Sequence, residues 1–89
     1  MVHVEFTIEP FIEGRMGAHV TDAIAAVEAR GHRVEIGPFG SSCDVPDSDV
    51  GTVVGTLTDA ALTSGASHVT VNVTADAPGN ETSENGAAT

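Results

Sequence analysis

VEIGPFGSSCDV, residues 34–45, is the stretch on which the fold turns. Val34 and Ile36 begin a strand, Ser42 to Val45 reads as another, and Gly37-Pro38-Phe39-Gly40 stands between them. The two glycines permit a sharp reversal and the proline stiffens it, so the four residues form either a tight turn or a small binding lip. As a turn, they put a hairpin in the middle of the chain, and both flanks must be arranged around it.

Upstream, VHVEFTIE (residues 2–9) alternates, with Val2, Val4, Phe6 and Ile8 on one face and His3, Glu5, Thr7 and Glu9 on the other, the mark of a half-buried strand. A loop around Glu13-Gly14-Arg15-Met16-Gly17 follows. Val20, Ala23, Ile24 and Val27 then recur at helical spacing until Gly31, which suits the left-handed position past a helix end. Downstream of the hairpin, Pro46-Asp47-Ser48-Asp49 supplies a cap and early acids for a second helix with the stripe Val50, Val53, Val54, Leu57 and Ala61, ending near Gly65. Gly51 and Gly55 either weaken this helix or allow close packing. Val69, Val71 and Val73 alternate with His68, Thr70, Asn72 and Thr74 as a fourth strand. From Asp76 onward the apolar pattern stops, and residues 76–89 read as a disordered acidic, polar tail beyond a single domain at 1–75.

The order βαββαβ with right-handed crossovers predicts an α+β, ferredoxin-like sandwich: a four-stranded antiparallel sheet with two helices on one face. The uncovered face then carries His3, Glu5, Thr7, Glu35, Ser42, Asp44, Thr70 and Asn72, all polar and several acidic. One extra residue in the turn would swap the faces of the third strand, so the direction of Ser41 stays open.

Composition narrows the partners. A chain of 89 residues buries only about 60% of its unfolded surface, which makes self-association a reasonable expectation. Three arginines, no lysine and thirteen carboxylates give a net charge of −10, which repels nucleic-acid phosphates. The same balance suits a protein kept soluble in concentrated salt, and a halophilic, salt-filled cytoplasm is the inference. No apolar run approaches a membrane span, and the start Met1-Val2-His3-Val4-Glu5 lacks the features of a signal peptide, so a cytoplasmic location with no membrane partner is expected.

Several chemistries fall away. Base stacking needs exposed aromatic rings and basic flanks, whereas Phe6 is assigned to the helix side of an acidic sheet. An acyl-phosphate hydrolase needs an arginine-bearing cradle near the end of the first strand, and Arg15, the only candidate, has Glu9 and Glu13 as neighbours. The four histidines show no i, i+4 pair, and His3 and His68 should lie at opposite ends of the sheet. They read as lone surface residues, with no metal site. Cys43, the sole cysteine, reads as a small buried hydrophobe. No nucleophile–base pair is visible, so no enzyme is expected. What remains is a polar surface able to take hydrogen bonds from an amino-heterocycle or to hold a cation. A second subunit laid over it would exclude water and strengthen those bonds. The same residues could equally be solvated, or satisfied by subunit contacts with no ligand.

Two segments and their spacing carry a resemblance: Val4-Glu5-Phe6-Thr7-Ile8-Glu9-Pro10-Phe11 and Val34-Glu35-Ile36-Gly37-Pro38-Phe39-Gly40-Ser41, with the helix start Gly17-Ala18-His19-Val20. Over residues 1 to about 75 the chain resembles the small thiamine-binding family. The resemblance implies a ferredoxin-like fold, dimers that pair into tetramers, and binding of thiamine or its hydroxymethylpyrimidine part at a subunit interface without catalysis or cofactor. Ser41 stands where the family usually has threonine, and Asp44 where it often has glutamate. The charged helix with which many members close is replaced here by Pro78-Gly79-Asn80 and a polar tail. On this reading Glu5, Glu35 or Asp44 accepts from the ligand's exocyclic amine and offsets its thiazolium charge. Ser41, Ser42 and Thr7 offer hydroxyls, Phe39 stacks on the ring or packs under the turn, and Asn72 contributes or only bridges subunits. The alternative is a structural or regulatory homo-oligomer with no physiological small ligand.

Overall fold

Four strands and two helices account for most of residues 1–10, 17–38 and 40–75, which are the ones the computed structural model describes. Strand β1 spans Val2–Glu9, helix α1 Ala18–Ala29, β2 Glu35–Ile36, β3 Ser41–Val45, helix α2 Val50–Thr63 and β4 His68–Thr74. The sheet runs β2-β3-β1-β4 with every neighbouring pair antiparallel, the expected ferredoxin-like α+β arrangement. Placing β1 and β3 at the centre leaves β2 and β4 as edges.

The alternation in β1 sorts its side chains as expected. Val2, Val4, Phe6 and Ile8 are buried with Cys43 and Val45 of β3 beneath the helices. Helix α1 supplies Ala23, Ile24 and Val27 to the same cluster, and α2 supplies Val53, Leu57 and Ala61. Val50 and Val54, placed in the α2 stripe by spacing, pack only partly buried against it. Each large side chain removed from water here contributes about 1.5–3 kcal/mol. Gly31, with φ of 92°, ends α1 in the left-handed conformation anticipated from sequence. Nothing lies within 4 Å of where a Cβ would stand on Gly51 or Gly55, so neither serves close packing.

Three expectations are corrected. Strand β3 begins at Ser41, one residue earlier than the pattern suggests, because Ser41 pairs with both Phe6 and Ile36. No side chain caps α2: the Asp49 carboxylate is engaged by His32 Nε2 and lies 3.8 Å from Arg30, and Asp47–Asp49 form a short 3-10 turn. The histidines are not all lone surface groups. His19 is buried, its Nε2 donating to the Pro10 carbonyl at 2.6 Å, and only 13% of the His32 side chain is exposed. The His19 ring lies directly over Gly17, where a Cβ would stand 2.5 Å from it.

Candidate functional site

Backbone pairing assembles one row of side chains across all four strands. Glu35 faces Ser42, Ser42 faces Glu5, and Glu5 faces Asn72. All four lie on the face away from the helices, since their neighbours Val4, Cys43 and Val73 take the other side. A parallel row of Asp44, His3 and Thr74 lies on one side of it, and Thr7 with Thr70 on the other.

Around the first row is a hollow of about 480 Å³, within the range of roughly 300–1,000 Å³ usual for ligand clefts. Its wall is the β2–β3 turn, represented by Gly37, Pro38 and Gly40, and closed by a 2.7 Å bond from Gly37 N to Gly40 O. Gly40 answers part of the question that the turn raises. A Cβ there would stand 2.9 Å from Thr7 Cγ2 and 3.0 Å from the Phe6 carbonyl, so only glycine lets the turn settle against β1.

The polar groups of the hollow are unevenly used. Asn72 Nδ2 donates to Glu5 Oε1 at 3.5 Å, and His3 Nε2 stands 3.6 Å from Glu5 Oε2. His3 Nδ1 meets Asp44 Oδ1 at 2.8 Å. That hydrogen bond, with the nearby negative charges of Asp44 and Glu5, raises the His3 pKa above 6.5 against a smaller opposing effect of burial. Glu35, Ser42, Thr7 and Thr70 have no side-chain partner among the described residues. The hollow therefore presents carboxylates, hydroxyls and the Asn72 amide, with no cation among the described residues of its lining.

Of the sequence-assigned residues, Glu5, Thr7, Glu35, Ser42 and Asn72 come together on the hollow's face. Asp44 stands one row away, beside His3. Ser41 borders the hollow, but its register opposite Phe6 turns the side chain toward the helices, and the residue is 8% exposed. The hydroxyl facing outward is that of Ser42. Phe39 lies outside the described residues, as do Arg15 and the segment 76–89. Thr70 is brought to the hollow without having been assigned to the site, although its place on the polar side of the fourth strand is readable from alternation. Cys43 is buried, and desolvation with the Asp44 charge raises its thiol pKa, which disfavours the thiolate. His3 and His68 lie at opposite ends of the sheet, as their register with Thr74 and Glu9 requires. No cluster of three or more metal-ligating side chains occurs among the described residues. None of their helices is long and apolar enough to cross a membrane.

A family model described as thiamine-binding protein matches residues 4–85. The chain belongs to the thiamine-binding protein family. The match runs on to residue 85, beyond the end near 75 that the sequence resemblance suggests. Among solved structures, a candidate thiamine biosynthesis/salvage protein from Thermotoga maritima is similar at a TM-score of 0.66 and 20% identity, over 90% of this chain and 88% of that one. A Streptococcus pneumoniae protein gives 0.61 and 18%, over 81% and 80% of the two chains. A domain of unknown function from Bacillus cereus gives 0.59 and 23%, over 81% and 70%. At these identities the likeness speaks for the fold that this thiamine-binding family member shares with them. Among proteins of curated function, none matches.

Proposed function

We propose that the open-face hollow binds thiamine or its hydroxymethylpyrimidine part without catalysis, for storage, delivery or sensing. The observation that carries this reading is the Glu35–Ser42–Glu5–Asn72 row, which lines a hollow of ligand size in a member of the thiamine-binding family. An aminopyrimidine offers N–H donors and ring-nitrogen acceptors. Glu5 and Glu35 accept from its exocyclic amine, the Ser42 hydroxyl and Asn72 amide donate to ring nitrogens, and the carboxylates offset the thiazolium charge. Such bonds gain strength in a water-poor setting, which a second copy of the chain over the open face would supply. On this reading the site lies at a subunit interface, in a dimer or a dimer of dimers.

Titration calorimetry tests this reading. Thiamine and hydroxymethylpyrimidine should each bind at micromolar level or tighter, and Glu5→Gln or Ser42→Ala should weaken both roughly tenfold, the loss of about one hydrogen bond. Absence of heat for both ligands would remove the proposal. Exposed apolar residues on both edge strands, Ile36 at 59% and Val73 at 46%, favour a second reading in which the chain only self-associates. Native mass spectrometry of protein purified without added ligand separates the two: a bound small molecule on the oligomer supports the first reading, and an empty oligomer the second.

A further inference from the structure

A second hollow, of about 220 Å³, adjoins the first on the open face and shares Glu35 and Ser42 with it. The rest of its lining is His3, Arg33, Cys43 and Asp44. Arg33 has no ion pair or hydrogen bond among the described residues, whereas Arg30 lies 3.8 Å from Asp49. Asp44 is hydrogen-bonded to His3 at 2.8 Å and makes no ion pair with Arg33 among the described residues. The two hollows together form one trough. At one end stand Glu5 and Glu35 with no cation among the described residues of the lining; at the other, Glu35 and Asp44 are joined by an unpaired guanidinium and an imidazole, and the Ser42 hydroxyl lies on the seam.

An unpaired arginine beside an otherwise acidic surface discriminates between ligands by charge. A free anion gains little, because it meets Glu35 and a net charge of −10 on the whole chain. A ligand that carries a cation at one end and an anion at the other matches both ends of the trough. Guanidinium presents forked donors suited to phosphate oxygens.

We propose that the smaller hollow is a subsite for a phosphate monoester borne by the cationic ligand of the larger one, with Arg33 as the principal donor. The subsite rests on the proposed function, since the cationic moiety must first seat among Glu5, Ser42 and Asn72. It makes thiamine monophosphate, rather than the unphosphorylated vitamin alone, a ligand of this chain.

Calorimetry on the full chain with thiamine and with thiamine monophosphate, at one fixed salt concentration, tests the subsite. Wild type should bind the monophosphate at least as tightly as thiamine. Arg33→Gln should weaken the monophosphate roughly tenfold and leave thiamine unchanged, and Arg33→Lys, which keeps the charge, should recover part of the loss. A monophosphate affinity untouched by Arg33→Gln, or an equal loss for both ligands, overturns the subsite. Thiamine binding with the monophosphate excluded also overturns the subsite and leaves the parent reading standing. Silence of wild type toward both ligands overturns the parent reading and the subsite with it.

Discussion

Replacing Gly40 by alanine perturbs the contact on which both the hairpin and the hollow depend. The added Cβ would stand 2.9 Å from Thr7 Cγ2 and 3.0 Å from the Phe6 carbonyl oxygen. Carbon atoms rest comfortably at about 3.5–4.0 Å, so the turn must rise by several tenths of an ångström or Thr7 must turn away. Thr7 is β-branched and has few rotamers to choose from, and the Phe6 carbonyl belongs to a strand paired on both sides. Overpacking of this kind costs about 1–3 kcal/mol. With a urea slope of about 1–2 kcal/mol per molar, a loss of about 2 kcal/mol lowers the unfolding midpoint by about 1 M or more. The companion Gly55→Ala, with nothing within 4 Å and a helical backbone, should gain about 0.5–1 kcal/mol from propensity. Urea unfolding followed by circular dichroism reads both variants, and calorimetry reads whether Gly40→Ala also weakens the ligand. A Gly40→Ala protein as stable as wild type would refute the seating of the turn on β1, and with it the account of the hollow's wall.

Two further outcomes are expected. Because its hydrogen bond to Asp44 raises the His3 pKa in the folded state, the pairing stabilises fully below pH 6.5 and fades as pH rises through the raised folded value. An NMR titration of the His3 ring should find its midpoint above 6.5 in wild type and lower in Asp44→Asn; equal midpoints would contradict the pairing. With a net charge of −10, the melting temperature should climb as potassium chloride is raised from about 0.1 M to about 2 M, where screening shrinks to a few ångströms. A flat or falling melting temperature would argue against adaptation to salt.

The fold was legible because its strands alternate. In β1 every second residue is apolar, and the structure buries that set without exception. β2 is only two residues long, Glu35–Ile36, and a strand that short leaves its register to the turn beside it. Hence, of the two hydroxyls assigned to the site, that of Ser42 faces the hollow while Ser41 turns toward the helices: the face on which each lies depends on how the turn places Gly40, a steric fact invisible in composition. His19 was unreadable for a similar reason. Its partner is a main-chain carbonyl at Pro10, and no residue type signals that an oxygen will be waiting there. Asp49 had the right type and position for a cap, but a local rule could not anticipate that His32, seventeen residues away, would engage the carboxylate. The polar row across the sheet could be read from alternation alone, whereas its concavity and the adjoining Arg33 hollow required the chain in three dimensions.

Amide chemical-shift mapping of the isotope-labelled chain during a thiamine titration tests the central claim most directly. The account predicts that the largest shifts fall at Glu5, Ser42, Gly40 and Asn72, with the outward side of α1 unaffected. Shifts concentrated on the helices, or none at saturating thiamine, would contradict it.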